Sequence, residues 1–216
     1  MADRIANADG VRNTVLGGMS FTILEDFEGY SALYNGPSIA TGVGTFTAGG
    51  LSGQGSCLPS VPCTDLYILD AATTPFSGRY NTTAGGSKWL DSNDVTFITL
   101  NLEAPNLNSR LNNLFFFITD VEDQGGQLTV TANDGQSVIA HFGGSGDNAK
   151  LVNGSLFFVN INSAAGLSSI TFSNTSRKDG FGVDDFGTVV PEPGSIALLG
   201  AGLVAVGLYR RKQRRA

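Results

Sequence analysis

Short runs of alternating apolar and polar residues, separated by turn residues, dominate residues 21–189. Alternation with a period of two is typical of β-strands that bury one face. Gly125-Gly126 and Asn133-Asp134-Gly135 are hairpin signals between such runs, and helix signals are nearly absent before residue 195. The predicted strands are Phe21–Phe27, Asp65–Leu69, Val95–Leu102, Leu114–Thr119, Gln127–Ala132, Val138–Phe142, Leu156–Ile161, Ile170–Asn174 and Gly182–Val189.

Many short strands in one stretch predict an all-β domain over residues 21–190, an antiparallel β-sandwich of the jelly-roll type. The continuous apolar run from Leu114 to Ile118 suits a central strand that is covered on both faces. Residues 1–20 contain no apolar run, and we expect them to be disordered. In the strand at 95–102, the inward side chains on either side of a register shift are expected to be Val95, Phe97, Leu100 and Leu102.

Charge is scarce and unevenly placed. Charged residues make up 15% of the chain, and the formal net charge is -6. The basic residues Arg210, Arg211, Lys212, Arg214 and Arg215 stand together at the C-terminal end, so the rest of the chain is strongly acidic. An acidic surface repels phosphate backbones, which excludes nucleic acid as the main partner.

The C-terminal segment has three parts. Pro191-Glu192-Pro193 is followed by an uncharged apolar run over residues 195–209 and then by the basic cluster. As a helix the run spans about 22 Å, short of a hydrocarbon core of about 30 Å unless Arg210 and Arg211 snorkel. A basic cluster after an apolar helix lies on the cytoplasmic side. The alternative is a buried core helix followed by a solvated tail.

The order Pro-Glu-Pro, apolar helix, arginine cluster closely resembles the PEP-CTERM sorting domain of bacterial surface proteins. The resemblance implies that an exosortase recognises Pro191, Glu192 and Pro193. It further implies transient anchoring in the inner membrane through a transmembrane-type helix within residues 195–209. The body would then reach the cell surface or an exopolysaccharide matrix of a Gram-negative-type bacterium. Such proteins begin with a secretory signal, and residues 1–20 contain none, so we expect a missing leader.

The two cysteines, Cys57 and Cys63, enclose a short loop that contains two prolines. In an exported protein we expect them to form a disulfide. The alternative is a pair of free thiols. The spacing excludes a CxxC metal or redox motif.

Two acidic motifs stand at the first and last strands of the body, Ile23–Gly29 and Gly180–Phe186. They resemble MAM domains and calcium-binding carbohydrate-binding modules of jelly-roll type. The resemblance implies a structural Ca²⁺ whose ligands come from paired terminal strands: Glu28 and Asp185 first, then Asp184 and Asp26. The alternative is that these are exposed acids at strand ends. The run Asp120-Val121-Glu122-Asp123 is either a further cation site or a solvated loop.

A sugar site needs an exposed aromatic face with polar neighbours. The polar stretch at residues 79–94 holds Tyr80 and Trp89, which are the predicted glycan contacts, with Tyr67, Tyr34 and Tyr30 as further candidates. The alternative is that the single tryptophan belongs to the core of the sandwich.

Catalytic constellations are missing from the sequence. His141 is the one histidine, so histidine-dependent triads and His-rich metal sites lack parts. No predicted strand carries the closely spaced acids that would suggest a glycoside hydrolase. We therefore expect a non-catalytic surface or matrix protein. The alternatives are a lectin-like carbohydrate-binding module and, third, a jelly-roll hydrolase or lyase.

Overall fold

The structure is a computed structural model that describes residues 2–50, 62–74, 76–102, 111–122, 125–142, 154–175 and 179–190. One helix precedes the strands, α1 at Ala2–Leu16. The strands are β1 Phe21–Glu25, β2 Asn35–Gly36, β3 Ser38–Thr41, β4 Gly44–Gly49, β5 Leu66–Asp70, β6 Lys88–Asp91, β7 Phe97–Asn101, β8 Asn113–Thr119, β9 Gln127–Ala132, β10 Ser137–His141, β11 Leu156–Asn162, β12 Leu167–Ser173 and β13 Gly182–Val189.

The strands form two antiparallel sheets that pack face to face. Sheet A runs in the order β11-β8-β13-β6-β5-β2, and β1 also pairs with β13. Sheet B runs β10-β9-β12-β7-β4-β3. The predicted all-β sandwich is confirmed, and the finer jelly-roll assignment stays a prediction. The predicted C-terminal helix lies outside the described residues, and within them no helix has the length and hydropathy needed to cross a bilayer.

Strand β8 shows why the central apolar run is covered twice. Leu114, Phe116 and Ile118 face the core between the sheets. Phe115 and Phe117 point to the opposite face of sheet A, where Leu16 of α1 packs on them. The expectation that residues 1–20 are disordered is therefore corrected. The helix forms because two phenylalanines on the outer face of a strand need an apolar cover.

Each predicted strand is present, with end shifts of a few residues. The strands β2, β3, β4 and β6 were not predicted. The Gly, Ser, Thr and Asn residues of the first three resemble loop sequence, and β6 lies within the polar stretch at residues 79–94. The inward set of β7 also differs: Ile98 and Leu100 are buried, whereas Phe97 is 37% exposed. Its ring lies over Gly49 on the outer face, where any Cβ would collide with it.

The predicted disulfide can be examined at one end only. Cys57 lies outside the described residues, and no free cysteine is found within them. The pairing of Cys57 with Cys63 therefore stays a prediction.

Candidate functional site

The last described strand, β13, brings the side chains of two adjacent aspartates to the same site. In a regular strand, Asp184 and Asp185 would point to opposite faces of the sheet. A register shift in the pairing of β13 with β8 interrupts the strand between Asp184 and Gly187, and Asp185 adopts a φ of 53°. Both carboxylates consequently reach the hydroxyl of Thr82, at 3.2 Å and 3.1 Å. Aspartate tolerates this left-handed conformation better than most residues.

Asp184 is buried and bound by neutral donors. Its Oδ2 atom accepts the amide of Thr82 at 2.7 Å, the amide of Thr83 at 3.2 Å and the Asn81 side chain at 3.2 Å. Burial, and then the neighbouring charge of Asp185, raise the pKa of Asp184 well above its ordinary value. The charged carboxylate is therefore unfavourable here until a cation approaches it.

Asp185 receives the cation that Asp184 lacks. Arg12 of α1 donates from Nε to Asp185 Oδ2 at 2.8 Å, and the two side chains are 14% and 0% exposed. The hydroxyl of Thr83 donates to the other carboxylate oxygen at 2.9 Å. Sequence analysis missed Arg12, because nothing local connects residues so far apart along the chain.

Glu28 approaches the same site from the loop after β1. Its Oε1 atom accepts the amides of Ser87 and Lys88, both at 2.7 Å. The Lys88 ammonium lies 3.5 Å from Oε2. We call Glu28, Asp184 and Asp185 the acid cluster.

Asp26, the fourth predicted ligand, does not join the acid cluster. Its side chain accepts the amide of Glu28 at 3.1 Å in a local turn. The structure thus unites three of the four predicted acids and leaves Asp26 outside.

Asn81 links two members of the acid cluster. Its Nδ2 atom lies 2.9 Å from the Lys88 carbonyl, 3.2 Å from Asp184 Oδ2 and 3.3 Å from Glu28 Oε1. An amide NH₂ has two hydrogens and cannot serve three acceptors fully. A half-turn of the amide would instead place Asn81 Oδ1 beside the other three oxygens.

This donor set fits a hard cation in part. Two carboxylate oxygens, one amide oxygen and one backbone carbonyl are ligands that Ca²⁺ prefers, and it takes six to eight oxygens in all. Over the described ranges, no group of three or more His, Cys, Asp or Glu side chains is arranged to hold a metal ion. Water or further carbonyls would have to complete the shell. Asp185 is already neutralised by Arg12.

The second acidic run belongs to a different network. Arg79 is buried and pairs with Asp91 and Asp179, each at 2.8 Å, and lies 3.8 Å from Asp120 Oδ2. Burial disfavours the charged guanidinium, but these three acids outweigh it and raise the pKa of Arg79. Asp120 is thus neither a solvated loop residue nor an open cation site, and Asp123 lies outside the described residues.

The predicted glycan contacts Trp89 and Tyr80 are both buried. Trp89 packs with Tyr67 and Leu69 and donates from Nε1 to Asp91 at 3.3 Å. The Tyr80 hydroxyl donates to the Gly154 carbonyl at 3.2 Å. Neither ring offers a face to solvent, which corrects the expectation of a sugar platform at these residues.

Two other candidate tyrosines form an accessible pair. Tyr34 is 48% exposed, and its ring centroid lies 5.5 Å from that of Tyr30. The Tyr30 hydroxyl donates to the Ala40 carbonyl at 2.7 Å. Partial burial, and then the nearby Glu25, raise the pKa of Tyr30 to about 12. Tyr30 therefore stays a neutral, fixed support behind the exposed ring of Tyr34.

Comparison with known proteins identifies the C-terminal segment. Residues 189–215 match the family described as "PEP-CTERM protein-sorting motif". The chain carries a PEP-CTERM sorting motif. It begins where β13 ends, so the sorting motif follows the sandwich without a spacer domain. The sequence matches no curated protein.

The body has distant structural similarity to several solved structures. It is similar to the K2 cleaved adhesin domain of Lys-gingipain from Porphyromonas gingivalis (14% identity over 79% of this chain and 98% of that chain, TM-score 0.43). It is also similar to TmCBM61 in complex with β-1,4-galactotriose (15%, 59% and 82%, TM-score 0.36). A third is the family 22 carbohydrate-binding module of Clostridium thermocellum Xyn10B (12%, 78% and 94%, TM-score 0.34). Each of these likenesses concerns the fold alone.

The ion pair of Arg12 with Asp185 predicts a stability effect. Arg12→Met leaves a buried carboxylate without its cation, and we expect the free energy of unfolding to fall by about 3–5 kcal/mol. Urea denaturation followed by circular dichroism measures this. The double variant Arg12→Met/Asp185→Asn should recover most of the loss. Equal losses in the single and double variants would mean that the pair does not hold α1 on the sheet.

Proposed function

We propose that the chain is a non-catalytic surface or extracellular-matrix protein that an exosortase sorts through Pro191-Glu192-Pro193. The sorting motif at residues 189–215 is the observation that carries the proposal. The apolar run at 195–209 would hold the chain in the inner membrane, with the arginine cluster on the cytoplasmic side. Cleavage near the motif would release the body to the outer surface.

The end of the body suits such processing. Val189 pairs with Phe21, and the amide of Val190 donates to the Ser20 carbonyl at 2.8 Å. The last residues of the sandwich are therefore fixed by β1 up to the boundary of the sorting motif. Removal of everything after residue 190 would leave all the described strands complete.

Sorting is tested by replacing Pro191, Glu192 and Pro193 with alanine in the producing bacterium. We expect the variant to stay in the inner-membrane fraction, because the exosortase no longer recognises it. Membrane fractionation with immunoblotting measures this, and Pro75→Ala in the body serves as a matched control. Normal release of the triple variant would contradict the proposal.

We further propose that Ca²⁺ binds at the acid cluster and stabilises the sandwich. Glu28, Asp184, Asn81 and the Lys88 carbonyl would hold it, and Asp185 would contribute charge nearby. The support is the convergence of three acceptors on one Asn81 nitrogen together with the uncompensated burial of Asp184. The ion would supply the charge that Asp184 lacks and tie the first strand loop to the last strand.

Thermal melting of the full chain in calcium and in EDTA tests this site. EDTA should lower the Tm of the natural protein, whereas Glu28→Gln should abolish the difference. Asp26→Asn is the matched control and should keep it. The pKa of Asp184 is raised, so ionisation of its carboxyl group lowers the stability of the fold as pH rises. Bound calcium would offset this loss. The difference in Tm between calcium and EDTA should therefore widen with increasing pH. Equal melting curves with and without calcium would contradict the site.

The alternative function is carbohydrate binding, and one observation indicates where a sugar would bind. The exposed Tyr34 ring, supported by Tyr30, is a face on which a pyranose ring can stack. The exposed Asn35 beside it offers an amide for sugar hydroxyls. This platform would replace the one predicted at Trp89 and Tyr80.

Calorimetric titration with the producer's exopolysaccharide distinguishes the lectin from a passive matrix component. A lectin gives saturable binding that Tyr34→Ala reduces by at least tenfold and Tyr34→Phe preserves, because stacking needs the ring and not the hydroxyl. No saturable binding by the natural protein would remove the alternative and leave the sorted, non-catalytic surface protein.

A further inference from the structure

Strand β10 is an edge strand. Among the strands that the structure describes, it ends sheet B and has β9 as its one partner. All five residues from Ser137 to His141 are exposed, including Val138 at 70% and Ile139 at 56%. The strand holds no Lys, Glu, Asp, Arg or Pro. Proteins commonly block edge strands with a charge, a proline or a bulge, because an open edge pairs with other chains.

The hydrogen-bonding groups on the free side of β10 follow from its pairing with β9. Ala132 donates to the Gln136 carbonyl, and Phe142 donates to the Gly126 carbonyl, both at 2.9 Å. Bonded positions alternate along an antiparallel ladder, so Val138 and Ala140 also bond to β9. The N–H and C=O groups of Ser137, Ile139 and His141 consequently point outward. Within the described residues, no strand lies on this outward side to pair with them.

The opposite edge of the same sheet is covered at one outward group. There β3 pairs with β4, and Pro37 accepts from Ala48 at 2.9 Å. The same alternation turns the Ala40 carbonyl outward, where the Tyr30 hydroxyl occupies it at 2.7 Å. The fold therefore covers an outward group at one end of sheet B and leaves the three outward residues of β10 open.

An apolar cavity lies along the inner side of β10. Its volume is about 530 Å³, and its wall includes Val130, Val138 and Ala140 from sheet B with Val159 and Ile161 from β11. The exposed Val138 side chain faces this space. The edge thus combines open backbone groups with an uncovered apolar face.

We propose that β10 is the docking site for β10 of a second copy of this chain. The two strands run antiparallel about a two-fold axis through Ile139. Ile139 then faces Ile139, and Ser137 faces His141 on each side. Each of the three facing pairs exchanges two hydrogen bonds, so every outward group of both strands is satisfied.

The distribution of charge makes β10 the place where two copies can approach each other. The chain carries a formal net charge of -6, so two bodies repel each other over most of their surfaces. β10 holds no Lys, Arg, Asp or Glu, so the two-fold register opposes no like charges of these residues. A strand edge that complements itself is the surface on which two acidic copies can meet. The sandwich thereby assembles by strand pairing, independently of how the chain is sorted or whether it binds a glycan.

Sedimentation equilibrium tests the pairing. The full chain is kept in a non-ionic detergent, because residues 195–209 are uncharged. We expect a concentration-dependent dimer that Ile139→Lys converts to monomer, since the substitution places two like charges opposite each other. Ala40→Lys introduces the same charge on the opposite edge and should leave the dimer intact.

Amide hydrogen exchange identifies the strand. As the dimer forms, exchange at Ser137, Ile139 and His141 should slow by at least tenfold. Val138 and Ala140 should stay protected at every concentration and in Ile139→Lys, which shows that the variant is folded. The proposal would be overturned if the natural protein remained monomeric or if the Ile139→Lys variant still formed the dimer. It would also be overturned if exchange at the outward amides did not depend on protein concentration.

Discussion

The burial of two adjacent carboxylates in the middle of sheet A is the constraint on which the rest of the domain depends. Asp184 and Asp185 are covered by the segment at residues 81–83, and their charge has to be met inside the fold. Arg12 meets half of it from outside the sandwich. An N-terminal helix, a loop between β5 and β6 and the last strand are therefore joined by electrostatics as much as by apolar packing.

The sequence was a good guide where a pattern is local. Alternation located the strands from Leu114 to Val189, and the acidic motifs at Glu28 and Asp184-Asp185 did come together. It failed where contacts between residues far apart in the sequence determine the structure. The helix at Ala2–Leu16 exists because Phe115 and Phe117 need a cover, and Arg12 meets Asp185 across most of the chain. Trp89 was predicted to contact a glycan because its neighbours in sequence are polar. In the structure Gly182 has no side chain, which leaves room for the buried Trp89 ring.

The two edge strands of sheet B, β3 and β10, differ in how far other residues cover them. β3 is short, and the tyrosine loop after β1 caps it. β10 follows a tight turn at Asp134-Gly135 and receives no such cap among the described contacts. Tyr30, the partly buried member of the tyrosine pair, thus has a structural role, while the ring of Tyr34 is exposed to solvent.

The position of β13 in the chain has a consequence for biogenesis. This strand lies at the centre of sheet A, between β8 and β6 and beside β1, yet among the described strands it is the last in chain order. A chain that stopped before Gly182 would leave β8 and β6 without the strand that lies between them, and β1 without its partner. Sheet A therefore cannot be completed before almost the whole body has been synthesised.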